Sequence, residues 1–535
     1  MLRPIRAAGA PEEGRSNQYS FRHALFHRAF YDRLGVARRR QLHQRIGEQK
    51  ERAYGARAGE MAAELAVHFT ESRDATRAVH YLQQAARIAL RRSAHHEAKD
   101  HLTRALEWLS RLPESGERTK RELELQLMLG VTLMSTQGFS SPQVQQTYAH
   151  ARQLCQQLGS TPQLFPALWG LRSFYHVRAE YDTAREIADQ LLQLAETTQN
   201  TDLLVEGHLA LGTTLVFQGD LSGARRHLEE CLRGYDPQQH RSHAYAYGQD
   251  PAVLALCHLA SLLVGMGYFE QAAARINDAV RISEEMAHPF SLGYARCFAG
   301  AIYSGRGEPE VTLQHAEQAI ALAQAQGFPH FQVMGTLLYG WALAALGKPD
   351  EGARHLQQAL DAQKRIGFEV GRSFYLTLLA EVYCTAGLPE EGLAVVAEGI
   401  ERVQQKGEWF YAAELYRLRG QLVLQSGVRS LESHEESQKS KVKNQKSKIK
   451  TDSRPLTPNP QDEAEGDFQK AIDIARQQTT KLFELRATMA LCHLWQVQGK
   501  KQQAHERLAG VSNWFTEGLS LPDMQQAKAL LAELS

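Results

Sequence analysis

One interval governs what this chain can fold into: a small residue returns every 40 positions, at Ala260, Gly300, Gly340, Ala380 and Gly420. The same company follows each of the first four. A large apolar or aromatic residue stands at +3 (Leu263, Tyr303, Leu343, Tyr383) and a glycine at +7 (Gly267, Gly307, Gly347, Gly387). Ala, Gly or Thr stands at +12 (Ala272, Thr312, Gly352, Gly392), and another small residue at +19 (Ala279, Ala319, Ala359, Gly399). An upstream copy sets Gly212, Leu215, Gly219, Ala224 and Cys231. A length of 535 residues alone would suggest three or four globular domains of roughly 150 each. A fixed internal period overrides that expectation.

The spacing has a direct physical reading. Two amphipathic helices joined by a short glycine-containing turn make a hairpin that cannot bury its apolar face alone. Small residues at the first and +12 positions let the paired helices approach closely, and the +3 residue fills the gap between hairpins. Stacked hairpins then share one continuous core and offer a concave surface. The expected fold is all-α, about ten helical hairpins in a right-handed superhelix (an α-solenoid). Gly212, Ala224, Ala260, Ala272, Gly300, Gly340, Gly352, Ala380, Gly420 and Ala504 are its packing anchors. These positions resemble the tetratricopeptide pattern, with longer units than the usual period of about 34. Units of about 40 are similar to those of a bacterial regulator subgroup.

The pattern continues outward. It can be read at Ala66, Ala78 and Ala85, at Ala86, Ala98 and Ala105, and at Gly130 and Ala151, the last with a lengthened turn, STQGFSSPQ. A weaker copy carries Tyr175 and Ala184 but has Arg172 where a small residue is expected. Towards the C-terminus the anchors are Cys492, Trp495, Gly499 and Ala504. Gly420 and Cys492 stand 72 positions apart, one period and 32 more. The surplus is residues 428–461, poor in apolar side chains and rich in Lys, Ser and Gln. A disordered insertion is expected there, between a first helix ending near Ser426 and a second starting near Asp462 with Ala464, Phe468 and Ala471 as anchors.

Charge and cysteine usage narrow the function. Lys plus Arg is 61 against 60 for Asp plus Glu, which gives no support for a general nucleic-acid or membrane-surface binder. Six lysines between Lys439 and Lys450 could dock on an acidic partner, but no aromatic residue is interleaved for base stacking. They are read as a solvated linker in preference to a nucleic-acid site. The six cysteines are dispersed with no C-x-x-C, which suits a reducing cytoplasm. The opening MLRPIRAAGAPEEGRSNQ has no apolar core of a secretory signal. The run PAVLALCHLASLLVGMGYF lacks charged residues over 19 positions, yet it falls in the repeat register and is read as a buried helix rather than a membrane span.

No catalytic signature stands out. The sequence has no G-x-x-x-x-G-K-[ST], no H-E-x-x-H and no G-x-S-x-G. GMG at 265–267 and GRG at 305–307 are read as turn glycines. His95, His96 and His101 are read as a solvated helix surface, because adjacent histidines point to different faces. No catalytic residue, no metal and no cofactor are therefore expected.

The stretch YSFRHALFHRAFYDRLGVARRRQLHQRIGEQKE differs from the repeats: it is basic, with Phe21, Leu25, Tyr31 and Leu34 on one helical face. It resembles the end of the winged-helix region that follows the nucleotide-binding domain in STAND-type signal-transduction ATPases. The matching residues are Phe21, His23, Leu25, Tyr31, Arg39 or Arg40, Leu42 and His43. In that group the segment leads into tetratricopeptide hairpins, and the resemblance implies that His23 contacts a nucleotide's phosphates, with ATP as cofactor only where an ATPase domain precedes. The run WFTEGLSLPDMQQAKALLAEL, residues 514–534, is similar to the closing segment of bacterial proteins that pair a class III adenylate or guanylate cyclase domain with such an ATPase and repeats.

The expected organisation is a disordered N-terminus (1–18), a winged-helix remnant (19–58), repeats (59–427), the insertion (428–461), and C-terminal repeats with a closing helix (462–535). The expected function is a cytoplasmic, non-catalytic interaction scaffold or sensor arm of a signalling ATPase or cyclase. It would bind a protein or peptide in the concave groove and engage an ATPase or cyclase module. One alternative is the C-terminal part of a cyclase whose catalytic domains lie outside these residues. Another is a fragment of a repeat-containing transcription regulator, against which the close at Ser535 without a helix-turn-helix is counted.

Overall fold

Two kinds of residue recur at fixed intervals and set the helix ends. Proline opens the helices that begin at Pro289, Pro309, Pro329, Pro349 and Pro389. Its missing N–H is one the first turn leaves unpaired anyway, and its fixed φ suits a helix start. Glycine with positive φ follows the first helix of each hairpin at Gly267 (89°), Gly307 (74°), Gly347 (89°) and Gly387 (67°). The +7 glycines of the repeat are thus left-handed helix terminators, where a Cβ would be strained.

In a computed structural model the description covers residues 2–4, 19–21, 24–159, 163–441 and 459–535, with residues before 28 and residues 429–441 by backbone alone. The chain divides within one helix into two compact units, residues 1–129 and 130–535. The first unit opens on β1 (Leu2–Pro4) and β2 (Tyr19–Phe21), antiparallel with Leu2 opposite Phe21. There follow α1 (Ala24–Arg33), α2 (Val36–Tyr54), a 3₁₀ segment (Gly55–Met61), α3 (Ala62–Ser72), α4 (Ala75–Arg91), α5 (His95–Leu109) and the start of α6 (Gly116–Gln137). Leu65, Phe69, Leu82 and Leu102 form its core. The strand at Leu2–Pro4 corrects the expectation of disorder throughout 1–18, since pairing with β2 satisfies its backbone. Residues 5–18 lie outside the described set.

The second unit is a run of helical hairpins. It comprises α7 (Pro142–Leu158), α8 (Leu164–Val177), α9 (Tyr181–Thr198), α10 (Thr201–Gln218), α11 (Leu221–Gly234), and two short helices, α12 (Pro237–His240) and α13 (His243–Ala246). Next come α14 (Pro251–Met266), α15 (Phe269–Met286), α16 (Pro289–Gly305), α17 (Pro309–Gln326), α18 (Pro329–Ala345), α19 (Pro349–Arg365), α20 (Arg372–Ala386) and α21 (Pro389–Lys406). The unit closes with α22 (Ala412–Lys441), α23 (Pro460–Gln477), α24 (Lys481–Val497), α25 (Lys501–Ser512) and α26 (Pro522–Leu534). The short α12 and α13 take up the extra length between Gly212 and Ala260. The architecture is that of tetratricopeptide-like helical repeats.

Helix α22 does not end near Ser426. It continues to Lys441, so residues 428–441 of the expected disordered segment are helical, in keeping with a stretch free of proline and glycine. Residues 442–458 lie outside the described set. Helix α23 begins at Pro460, earlier than Asp462, because the Asn459 side chain accepts from the Gln461 N–H at 3.1 Å and caps it.

Within the second unit the hairpins do not spread apart. The Glu369 and Val370 N–H groups donate to the Val177 carbonyl at 2.7 and 2.9 Å, and the Trp409 N–H donates to the Phe217 carbonyl at 2.9 Å. Both contacts join residues 192 positions apart, and they are themselves one 40-residue repeat apart. Ser140 Oγ adds a hydrogen bond to the Ile366 carbonyl at 2.7 Å. The chain therefore returns onto its own first turn in register. That return explains α14, in which every residue except Ser261 is buried. Its second face lies against later chain: a Cβ added at Gly265 would stand 3.2 Å from the Phe410 ring, and one at Gly267 would stand 2.6 Å from Phe515. Among the described residues no single helix is long and apolar enough to cross a membrane; a pair bent by 89°, Pro237–Ala246 with Pro251–Met266, meets length and composition jointly.

Candidate functional site

The ten positions expected as anchors have the following surroundings. Ala224, Ala260, Ala272, Ala380 and Ala504 are fully buried. A Cβ on Gly212 would reach Leu228 at 3.0 Å, one on Gly300 would reach Leu338 at 3.0 Å, and one on Gly420 would reach Phe468 at 2.6 Å. Gly340 and Gly352 face each other across the α18–α19 hairpin, where a Cβ on Gly340 would lie 2.8 Å from the Gly352 carbonyl oxygen. His23 lies outside the described residues. Of its companions in the N-terminal pattern, Tyr31 Oη is 2.9 Å from His43 Nε2, and His43 Nδ1 is 3.0 Å from His68 Nδ1. His95 and His101 are half-buried and His96 is exposed. No grouping of three or more His, Cys, Asp or Glu able to hold a metal occurs among the described residues.

A cavity of about 110 Å³ lies inside the second unit. The first helices of successive hairpins face it: α8 with Arg172 and His176, α10 with Thr213 and Phe217, α14 with His258, α16 with Tyr294 and Phe298, and α18 with His330. The opposite wall comes from the returning chain, with Val370, Gly371, Phe374, Tyr375, Phe410 and Tyr411. Phe, Tyr and His rings make up half of the lining, a composition typical of ligand sites. The two walls are joined by the backbone hydrogen bonds between Val177 and Val370 and between Phe217 and Trp409.

The polar groups are few and unusual. Arg172 stands at the position 40 residues before Gly212, where the repeat asks for a small side chain, and its residue exposure is 5%. Its Nη2 donates to the Ala210 carbonyl at 2.6 Å, to Thr214 Oγ1 at 2.8 Å and to Thr213 Oγ1. Its Nε is buried without a partner. Burial pushes the guanidinium down to about 9, so it keeps its charge at neutral pH. Burial lowers His176 well below the usual histidine range, and lowers His258 and His330 to about 3, so all three rings are neutral at physiological pH. His258 Nε2 lies 2.8 Å from Tyr294 Oη. Nδ1 of His176, Nδ1 of His258 and both ring nitrogens of His330 have no hydrogen-bond partner.

The returning wall is held by charge. Arg402 donates to Glu369 Oε2 at 2.7 Å and from Nε to the buried Glu408 at 2.6 Å. Farther along, Arg486 forks onto Asp523 at 2.8 to 3.2 Å and donates to the Gly305 carbonyl at 3.0 Å. Neither the cavity nor the returning wall is visible in the repeat pattern, which reports contacts between neighbouring hairpins. The one local signal was Arg172, the break in the small-residue series.

The fold and the cavity together define a helical-repeat protein with an internal site rich in aromatic side chains. No family model matches the chain. It is similar to an uncharacterized protein of Rhizobium meliloti (strain 1021), 24% identical over 285 residues, which are 52% of this chain and 27% of that relative, so the chain spans about a quarter of the relative's length. Among solved structures it is similar to the Cut9–Hcn1 hetero-tetramer of APC/C, at TM-score 0.43 and 15% identity over 92% of this chain and 94% of that one. The Rap protein complexed with competence and sporulation factor gives 0.42 and 11% over 65% and 99%. A STAND protein with a tetratricopeptide repeat sensor from Pyrococcus horikoshii gives 0.36 and 14% over 78% and 54%. Similarities of this size carry no assignment of activity.

Proposed function

We propose that the chain is a non-catalytic interaction module, the sensor arm of a larger signalling ATPase or cyclase, and that what it senses is taken up on the concave side of the second unit. The observation that supports this most is convergence: five first helices and the returning chain aim aromatic and unpartnered polar groups into one cavity. Groups buried without partners are costly unless something completes their hydrogen bonds. A bound peptide segment or small molecule does that. Because the two walls belong to residues 192 positions apart, an occupant touches both and biases how firmly the seam closes. In the larger protein that bias would be read by the ATPase or cyclase module, following the resemblance of the N-terminal pattern around Tyr31 and His43.

Native mass spectrometry tests the reading. The full chain is equilibrated with a peptide and metabolite extract, beside an Ala301→Trp variant whose indole fills the cavity. A retained mass on the parent chain that the variant lacks is expected. Retention of the same species by both, or by neither, would sink the assignment of the cavity as the sensing site.

A further inference from the structure

The deeply set arginines of the second unit share a rule with one exception. Arg372 meets Glu398 at 2.8 Å, Arg402 meets Glu369 and Glu408, Arg417 meets Glu414 at 2.9 Å, and Arg486 meets Asp523 at 2.8 Å. Arg172 meets no carboxylate among the described residues. The nearby acid Glu206 is already engaged, accepting from Trp169 Nε1 at 3.0 Å and lying 2.8 Å from His243 Nδ1. The rest of the lining brings no compensation, since His176, His258 and His330 are neutral. A buried cation without a counter-charge is strongly disfavoured, and one that also displaces the small residue of a close-packing repeat is doubly so.

We infer that the cavity takes a small apolar monocarboxylic acid, whose carboxylate pairs with Arg172 while its hydrocarbon or aromatic body lies against Phe217, Tyr294 and Phe374. The inference rests on the cavity being the sensing site. The guanidinium is fixed from one end, because Nη2 is tied to Ala210, Thr213 and Thr214, and its buried Nε is left to donate. A carboxylate oxygen accepts singly from that N–H, in a charge-assisted hydrogen bond. One cation with no lysine beside it neutralises a monoanion, not the double charge of a phosphate ester. The free nitrogens of the neutral histidines, His330 above all, can serve a second polar group on the acid.

The test is calorimetric titration of the full chain with straight-chain and phenyl-substituted acids of graded length, each beside its primary amide. Short apolar peptides with free and amidated C-termini form a second arm, since they carry the same group from another source. At least one free acid should bind about tenfold or more tightly than its amide, a typical worth for a charge-assisted pair. Arg172→Met should bind that acid and its amide alike, to within about twofold, with amide affinity kept. Discrimination confined to the peptide arm would place the carboxylate on a chain terminus and overturn the small acid. Acids and amides bound equally by the parent chain would overturn the carboxylate while leaving the cavity a binding site. No binding by any compound would remove both readings. The acid-to-amide comparison on the parent chain decides the matter even where Arg172→Met fails to fold.

Discussion

Asp467 is a carboxylate that its surroundings make reluctant to ionise. It lies in α23 with its side chain 8% exposed, and Oδ1 is 3.3 Å from Arg419 Nη1. Oδ2 is buried without a partner. Burial raises it from 3.8 to about 6, more than Arg419 lowers it. A raised carboxyl means that the folded chain binds the proton more tightly than the unfolded one. Its contribution to stability is therefore greatest below about 4 and is lost as pH rises towards about 6. Asp467→Asn copies the protonated form, and Arg419 keeps Glu463 at 2.8 Å. The variant should be more stable at pH 7 by about 1–2 kcal/mol and flatter between pH 4 and 6, as read by urea denaturation across that range. Equal pH slopes in both proteins would refute the account. At this scale the sequence was partly legible. Gly340 and Gly352 announce their close approach through the repeat, and Arg172 announces itself by breaking it. The charge state of Asp467 was not legible, because it depends on how α22 and α23 pack.

Between residue and whole molecule stand the elements, and here periodicity served well wherever local chemistry decides. The +7 glycines that punctuate the hairpins lie where the repeat puts them, since a helix stop is settled within a few residues. Periodicity also placed α14 in the repeat register as a buried helix, and the returning chain supplies the reason for its all-round apolarity by covering its second face. The loop at Ile366–Gly371 is the corresponding element of the far wall, and Arg402 is its fastening. Substituting Arg402→Met leaves Glu408, fully buried, without its cation. A loss of about 3–5 kcal/mol is expected, the range for breaking one half of a buried pair. Hydrogen exchange locates the effect: the Glu369 and Val370 amides, which donate to Val177, should lose protection ahead of the α18–α19 core. Uniform loss across the second unit would mean that Arg402 supports the fold generally and not the seam.

At the scale of the whole second unit, the returning contacts alter how the repeats cooperate. A stack in which each hairpin touches its neighbours alone unfolds by fraying, with stability close to a sum of nearest-neighbour terms. Here Val177 with Val370, Phe217 with Trp409, and Gly305 with Arg486 tie distant repeats together, so one turn cannot open without exposing the other. Residues 164–220 and 366–410 should therefore lose hydrogen-exchange protection at the same urea concentration when the full chain is titrated. A chain carrying both Arg402→Met and Arg486→Met should show the two segments separating, because each remaining half would be held by its neighbours alone. Separate transitions in the unmodified chain would contradict this coupling, and would also remove the route by which an occupant of the cavity could be felt at both walls.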